Sequence, residues 1–105
     1  MKSQRHVRRY RRSLYSVPIT LHKSVAGVVR SSQGISLDIS EGGLGALISG
    51  DPKVGDRVQI EVQLREHLLN AGAVLRHTSN IRSGFEFLEL TTEQKVQIAR
   101  TVANK

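Results

Sequence analysis

Cysteine and tryptophan are both absent from this chain of 105 residues, and only two Tyr and two Phe are present. Without thiols there is no disulfide framework, no thiol nucleophile and no thiolate metal site. Without Trp, any aromatic platform over a flat ligand falls to Tyr10 or Tyr15, with Tyr15, Phe85 and Phe87 read as core. No apolar run approaches the roughly 20 residues that cross a bilayer, and the first residues lack the apolar stretch of a secretion signal. A soluble, cytoplasmic protein is the expectation. The length supplies one hydrophobic core, and it fits a whole small protein or a domain cut from a longer one. Enzyme signatures are missing too. His6, His22, His67 and His77 are scattered without helical pairing, there is no nucleophile elbow, and no phosphate loop ends in Gly-Lys-Ser/Thr. The sequence reads as a binding module without a metal or cofactor.

Acidic residues are also absent until Asp38. Residues 1–37 hold eight bases and no acid, and residues 38–105 hold eight bases and nine acids, so the charge splits as +8 and −1. The excess is local. Five of the six bases in the first twelve residues are Arg, whose planar fork matches phosphate bidentately and stacks on flat rings. A leader of this kind is built for phosphate or nucleotide. It should be mobile without an anion, because self-repulsion opposes ordering, and it should fold over the body when a ligand neutralises it.

The body reads as β structure. Tyr15, Val17, Ile19 and Leu21 alternate with polar residues, and Pro18 marks an edge or a bulge in that first strand. A second strand is expected over 25–30, joined across His22-Lys23-Ser24. Ser31-Ser32-Gln33-Gly34 reads as a turn, after which Ile35, Leu37 and Ile39 alternate with Ser36, Asp38 and Ser40. That spacing puts Asp38 and Ser40 on one face. Gly42-Gly43 turns the chain into a strand over 44–48, and Asp51–Asp56 is a loop. Val58, Ile60, Val62 and Leu64 mark the next strand, followed by strands near 71–77 and 84–88. Thr91 and Gln94 form a capping box, and Val96, Ala99, Val102 and Ala103 then share a helical face. The expected fold is mainly β: a small six-stranded antiparallel barrel over 14–90, a flexible basic arm over 1–13, and a C-terminal α-helix over 91–105.

Arg8-Arg9-Tyr10-Arg11-Arg12 fits an RxxxR arm, and Asp38-Ile39-Ser40-Glu41-Gly42-Gly43 fits DxSxxG some thirty residues later. In that order, ahead of a small β barrel, they resemble the PilZ domain, a bacterial receptor module for cyclic di-GMP. The resemblance covers nearly the whole chain, and 58–62 and 83–87 look like the family's later strands. It implies a second-messenger receptor whose ligand contacts are Arg8, Arg9, Arg12, Asp38, Ser40 and Gly43. It also implies a downstream protein partner or fused domain. Val7, just before the arm motif, leans toward one bound ligand over a stacked pair.

The chemistry is consistent with that carry-over. Arg8 and Arg12 can fork onto a guanine N7/O6 edge, bond phosphate oxygens or stack on a purine. The guanine N1/N2 edge donates, so it calls for a carboxylate such as Asp38. Ser40 adds a hydroxyl, and Gly43 lets backbone approach without a Cβ. In the bland alternatives, Asp38 pairs with an arm arginine, Ser40 caps the turn and the glycines make the bend. The rival functions are a polyanion or nucleic-acid binder tracking phosphates with its arm, and a ligand-free domain acting through protein contacts.

Overall fold

The computed structural model describes residues 12–103. Strands β1 (Ser13–Leu14), β2 (Pro18–Val25), β3 (Val28–Ile39), β4 (Gly43–Ile48), β5 (Arg57–Gln63), β6 (Leu68–Thr78) and β7 (Ser83–Phe87) precede one helix, α1 (Thr92–Ala103). All pairings are antiparallel, in the order β1-β3-β2-β5-β6-β7-β4, and a β3–β4 pairing closes the last six into a barrel. Closure leaves β1 as an extra strand on β3 and removes the open edges of the other six over much of their length. The alternating apolar sets fill the interior: Ile19, Leu21, Ile60, Val62, Leu64, Phe85 and Phe87 are buried, with Tyr15 and Val17 packed against them.

Three local expectations are corrected. The first hairpin does not turn at His22-Lys23-Ser24, and Ser31-Ser32-Gln33-Gly34 is not a turn. Both segments lie in one long ladder that pairs His22 with Ser31 and Ile19 with Gly34. The chain reverses at Ala26-Gly27, where φ is 52° and 81°. Positive φ at both central residues is the twist that a two-residue hairpin needs. Turn-like composition at 31–34 is overridden because those residues have strand partners.

The second correction is the face of β3. Ile35 is exposed and Ser36 fully buried, the reverse of the expected apolar set. A bulge between Ser36 and Asp38 leaves Leu37 as the extra residue and switches the alternation, so Ile39 points to the core. Ser36 also fills the gap where the first strand breaks into β1 and β2. Its Oγ accepts the Val17 N–H at 3.0 Å and donates to the Tyr15 carbonyl. The hydroxyl thus replaces ladder bonds that Tyr15-Ser16-Val17 lose ahead of Pro18.

The third concerns α1. The capping box is present in both directions, with Thr91 N–H on Gln94 Oε1 at 2.9 Å and Gln94 N–H on Thr91 Oγ1 at 3.0 Å. The packed face, however, runs through Ile98, Thr101 and Val102, and Val96 is exposed. Thr101 belongs to that face because its Oγ1 accepts the Arg65 N–H at 3.2 Å. No helix of the described residues is long and apolar enough to cross a membrane.

Candidate functional site

Four strands present one row of residues side by side: Asp38 on β3 faces Gly45 on β4, Gly45 faces Gly84 on β7, and Gly84 faces His77 on β6. At ordinary strand spacing this row spans about 14 Å. Its two central residues have no side chain; the Arg82 guanidinium fills the place beside Gly45, and Asp38 and His77 stand at the two ends of the row. A cleft of about 640 Å³ lies over it, with Arg12, Ser40, Gly42, Arg76, Arg82, Phe85 and Glu86 completing the wall. That volume is in the usual range for small-molecule sites.

Asp38 is the electrostatic centre. It is only 8% exposed. Its Oδ1 accepts Arg12 Nη1 at 2.7 Å and the Gly45 N–H at 3.1 Å, and its Oδ2 accepts Arg82 Nη2 at 2.6 Å. Burial alone would raise the carboxyl, but hydrogen bonds and charge from Arg82 and then Arg12 outweigh it and hold it below the ordinary carboxylate value. An ionised, acceptor-only group therefore faces the cleft at neutral pH.

The turn after β3 fixes its neighbour. Ser40 N–H donates to the Gly43 carbonyl at 2.9 Å, and Ser40 Oγ accepts the Gly42 N–H at 3.0 Å. Asp38 and Ser40 both line the cleft. Gly43 is placed differently. A Cβ there would fall far inside contact distance of the Phe85 carbonyl, so this glycine allows β4 to approach β7 closely, and Gly42 is the residue at the cleft wall.

The structure therefore brings together Arg12, Asp38 and Ser40, while Val7, Arg8, Arg9 and Tyr10 lie outside the described residues. Tyr15 does not line the cleft; its hydroxyl donates to the Gln63 carbonyl at 2.6 Å. The sequence reading missed Arg76, His77, Arg82 and Glu86. Arg82 is 44 residues from Asp38 in the chain, a distance no local pattern bridges. One signal was available: residues 67–85 contain Arg76, His77 and Arg82 and no acid, a second basic stretch like the leader. Within the cleft, Arg76 is already committed to Glu86, Nε to Oε1 at 2.7 Å. No cluster of the described residues is suited to hold a metal.

The sequence profile of the PilZ domain matches residues 6–104. Among solved structures, the chain is similar to the PilZ domain of YcgR from Escherichia coli with c-di-GMP, at 25% identity and a TM-score of 0.74, covering 92% of this chain and 89% of that one. YcgR from Escherichia coli in complex with c-di-GMP is similar at 28% identity and a TM-score of 0.74, over 92% of this chain and 45% of that one. The Bacillus subtilis inhibitor of motility, MotI/DgrA, shares the fold at 16% identity and a TM-score of 0.77, over 92% of this chain and 49% of that one. Comparison with curated proteins returns no match. With the motif residues, the closed barrel and a profile spanning almost its whole length in agreement, the chain belongs to the PilZ domain family.

Proposed function

We propose that this domain is a cyclic di-GMP receptor, a binding module rather than an enzyme. The observation that carries the reading is Asp38: a carboxylate kept ionised by two guanidinium groups at one end of the cleft, with Ser40 beside it. Its acceptors suit the N1 and N2 donors of a guanine. Arg12 and Arg82 place positive charge where phosphodiesters need it. The YcgR PilZ domain, similar over most of this chain, was solved with that ligand.

Arg8, Arg9 and Arg12 are assigned to phosphate and to the guanine N7/O6 edge, and Asp38 and Ser40 to its donor edge. Partial neutralisation of the five bases in residues 1–11 by the ligand's phosphodiester charges is the event that orders the arm and presents a new surface to a downstream partner. A cytoplasmic location follows from that ligand.

Isothermal titration at near-physiological salt, with cyclic di-GMP, GTP and a short single-stranded oligonucleotide, tests the reading. Saturable binding of cyclic di-GMP alone is expected, and its stoichiometry counts the ligands held. Arg12→Ala removes charge-assisted bonds of roughly 1.5–3 kcal/mol and should weaken binding about ten- to hundredfold, with little change in melting temperature. Absence of heat and of any ligand-induced melting shift would sink the receptor reading.

A further inference from the structure

We propose that Arg82 is a resident positioning residue of this cleft: it stays on Asp38 Oδ2 when a guanine edge takes Oδ1 from Arg12, and keeps the carboxylate aimed while Arg12 turns to the ligand. The inference rests on the cyclic di-GMP reading and assigns the two arginines on Asp38 different fates.

Acceptor capacity distinguishes them. Each carboxylate oxygen offers about two lone-pair sites. Among the described residues, Oδ1 already accepts from Arg12 and from the Gly45 backbone, whereas Oδ2 accepts from Arg82. Guanine N1 and N2 need one site on each oxygen. Among the described residues, Oδ2 keeps that site open with Arg82 in place, and Oδ1 does not. Gly45 is a strand residue paired on both sides, so Arg12 is the donor that leaves.

Seating supports the same division. The Arg82 guanidinium occupies the space beside Gly45 where a side chain would stand: a Cβ at 45 would lie 2.8 Å from Arg82 Cζ. The Arg82 carbonyl accepts the Ser79 N–H at 2.8 Å, and the next residue begins β7. Arg12, by contrast, stands just ahead of a strand of only two residues.

With Arg12 gone to the ligand, Arg82 is left to offset the burial that pushes the Asp38 carboxyl up. A protonated Asp38 becomes partly a donor and clashes with the guanine donor edge. Among the described residues, Arg12 and Arg82 are the charged groups bonded to Asp38; Arg76 and His77 from β6 and Glu86 from β7 face the same cleft. Those three are common to every variant below.

The experiment measures Kd for cyclic di-GMP calorimetrically at about pH 7 and about pH 5 for wild type, Arg82→Ala and Arg82→Lys, with melting temperatures alongside. Arg82→Ala should bind about tenfold more weakly at the higher pH and lose roughly another tenfold at the lower one relative to wild type. Arg82→Lys, which keeps the charge, should restore the wild-type pH profile and only part of the affinity. Unchanged or tighter binding by Arg82→Ala, or a loss equal at both pH values, overturns the proposal. If wild type takes no cyclic di-GMP, the receptor reading fails separately. The Asp38 carboxyl titration in ligand-free protein, followed by NMR, then decides: an upward move in Arg82→Ala and not in Arg82→Lys supports Arg82 as its holder, and an unmoved midpoint refutes it.

Discussion

Gly43 and Gly45 sit two residues apart on β4 and are glycine for different reasons. A Cβ at 43 would strike the Phe85 backbone carbonyl, and a strand held on both sides cannot step aside. A Cβ at 45 would strike the far end of a long side chain, the Arg82 guanidinium, which can swing away. Gly43→Ala should therefore lower stability by about 3 kcal/mol or prevent folding, as overpacking against fixed atoms does. Gly45→Ala should leave the melting temperature within a few degrees and still weaken ligand binding about tenfold, because it unseats Arg82 from Asp38. Thermal melting and calorimetry on the two variants separate the effects. A Gly45→Ala protein that binds like wild type would show that the seat beside Asp38 has no part in recognition. The contrast also divides the DxSxxG motif, whose Asp38 and Ser40 face the cleft while its last glycine serves strand packing.

Among the elements, the β2–β3 hairpin contains a tight turn whose residues do not match its backbone. Ala26 sits at φ 52° ahead of Gly27 at 81°, a pair of positive values for which Asn-Gly is the favoured sequence. An L-residue other than Gly or Asn loses roughly 1–2 kcal/mol there. Ala26→Asn should stabilise the domain by about 0.5–1 kcal/mol and raise its melting temperature by roughly 2–8 °C, with ligand affinity unchanged. A lower melting temperature would mean that the hairpin tip carries no strain in solution. The same hairpin shows where sequence reasoning falls short. Period-two patterns located the strands through Ile19 and Leu21, and through Val58, Ile60 and Val62, because inward residues must be apolar. Thr91 and Gln94 announced their cap because the motif is local. The turn was misplaced because Ser-Ser-Gln-Gly is good turn chemistry, and it is the pairing of all four residues with 19–22 that keeps it extended. The bulge at Leu37 was hidden for a related reason: Ser36 is buried to serve a break twenty residues earlier in the chain. Asp38, Ser40 and Arg12 were readable from motif spacing, whereas Arg82 reaches Asp38 only when β6, β7, β4 and β3 lie side by side.

At the scale of the molecule, the excess charge and the cleft belong to different parts of the chain. Residues 12–103 hold ten bases and nine acids, whereas residues 1–11 hold five bases and no acid. Two kinds of anion binding follow. A polyanion held through the leader alone gains from counterion release, and its affinity falls steeply with salt whatever stands at position 38. A guanine dinucleotide held in the cleft depends on Asp38, a partly buried acceptor that salt screens little. Ligand that binds only the folded state adds stability by mass action, about 2.7 kcal/mol at a hundredfold excess over Kd, or roughly 10–20 °C of melting temperature for a domain of this size. Cyclic di-GMP at that excess should produce such a shift and keep most of it when salt rises from about 50 to about 200 mM, while any shift from a single-stranded oligonucleotide should largely vanish. Asp38→Asn leaves an amide between Arg12 and Arg82, and at the same ligand concentration it should lose the cyclic di-GMP shift while retaining the oligonucleotide one. The melting temperature of the ligand-free variant separates this loss from damage to the fold. Equal salt dependence for both ligands, together with indifference to Asp38→Asn, would place binding in the leader alone and reduce the cleft to a structural ion pair.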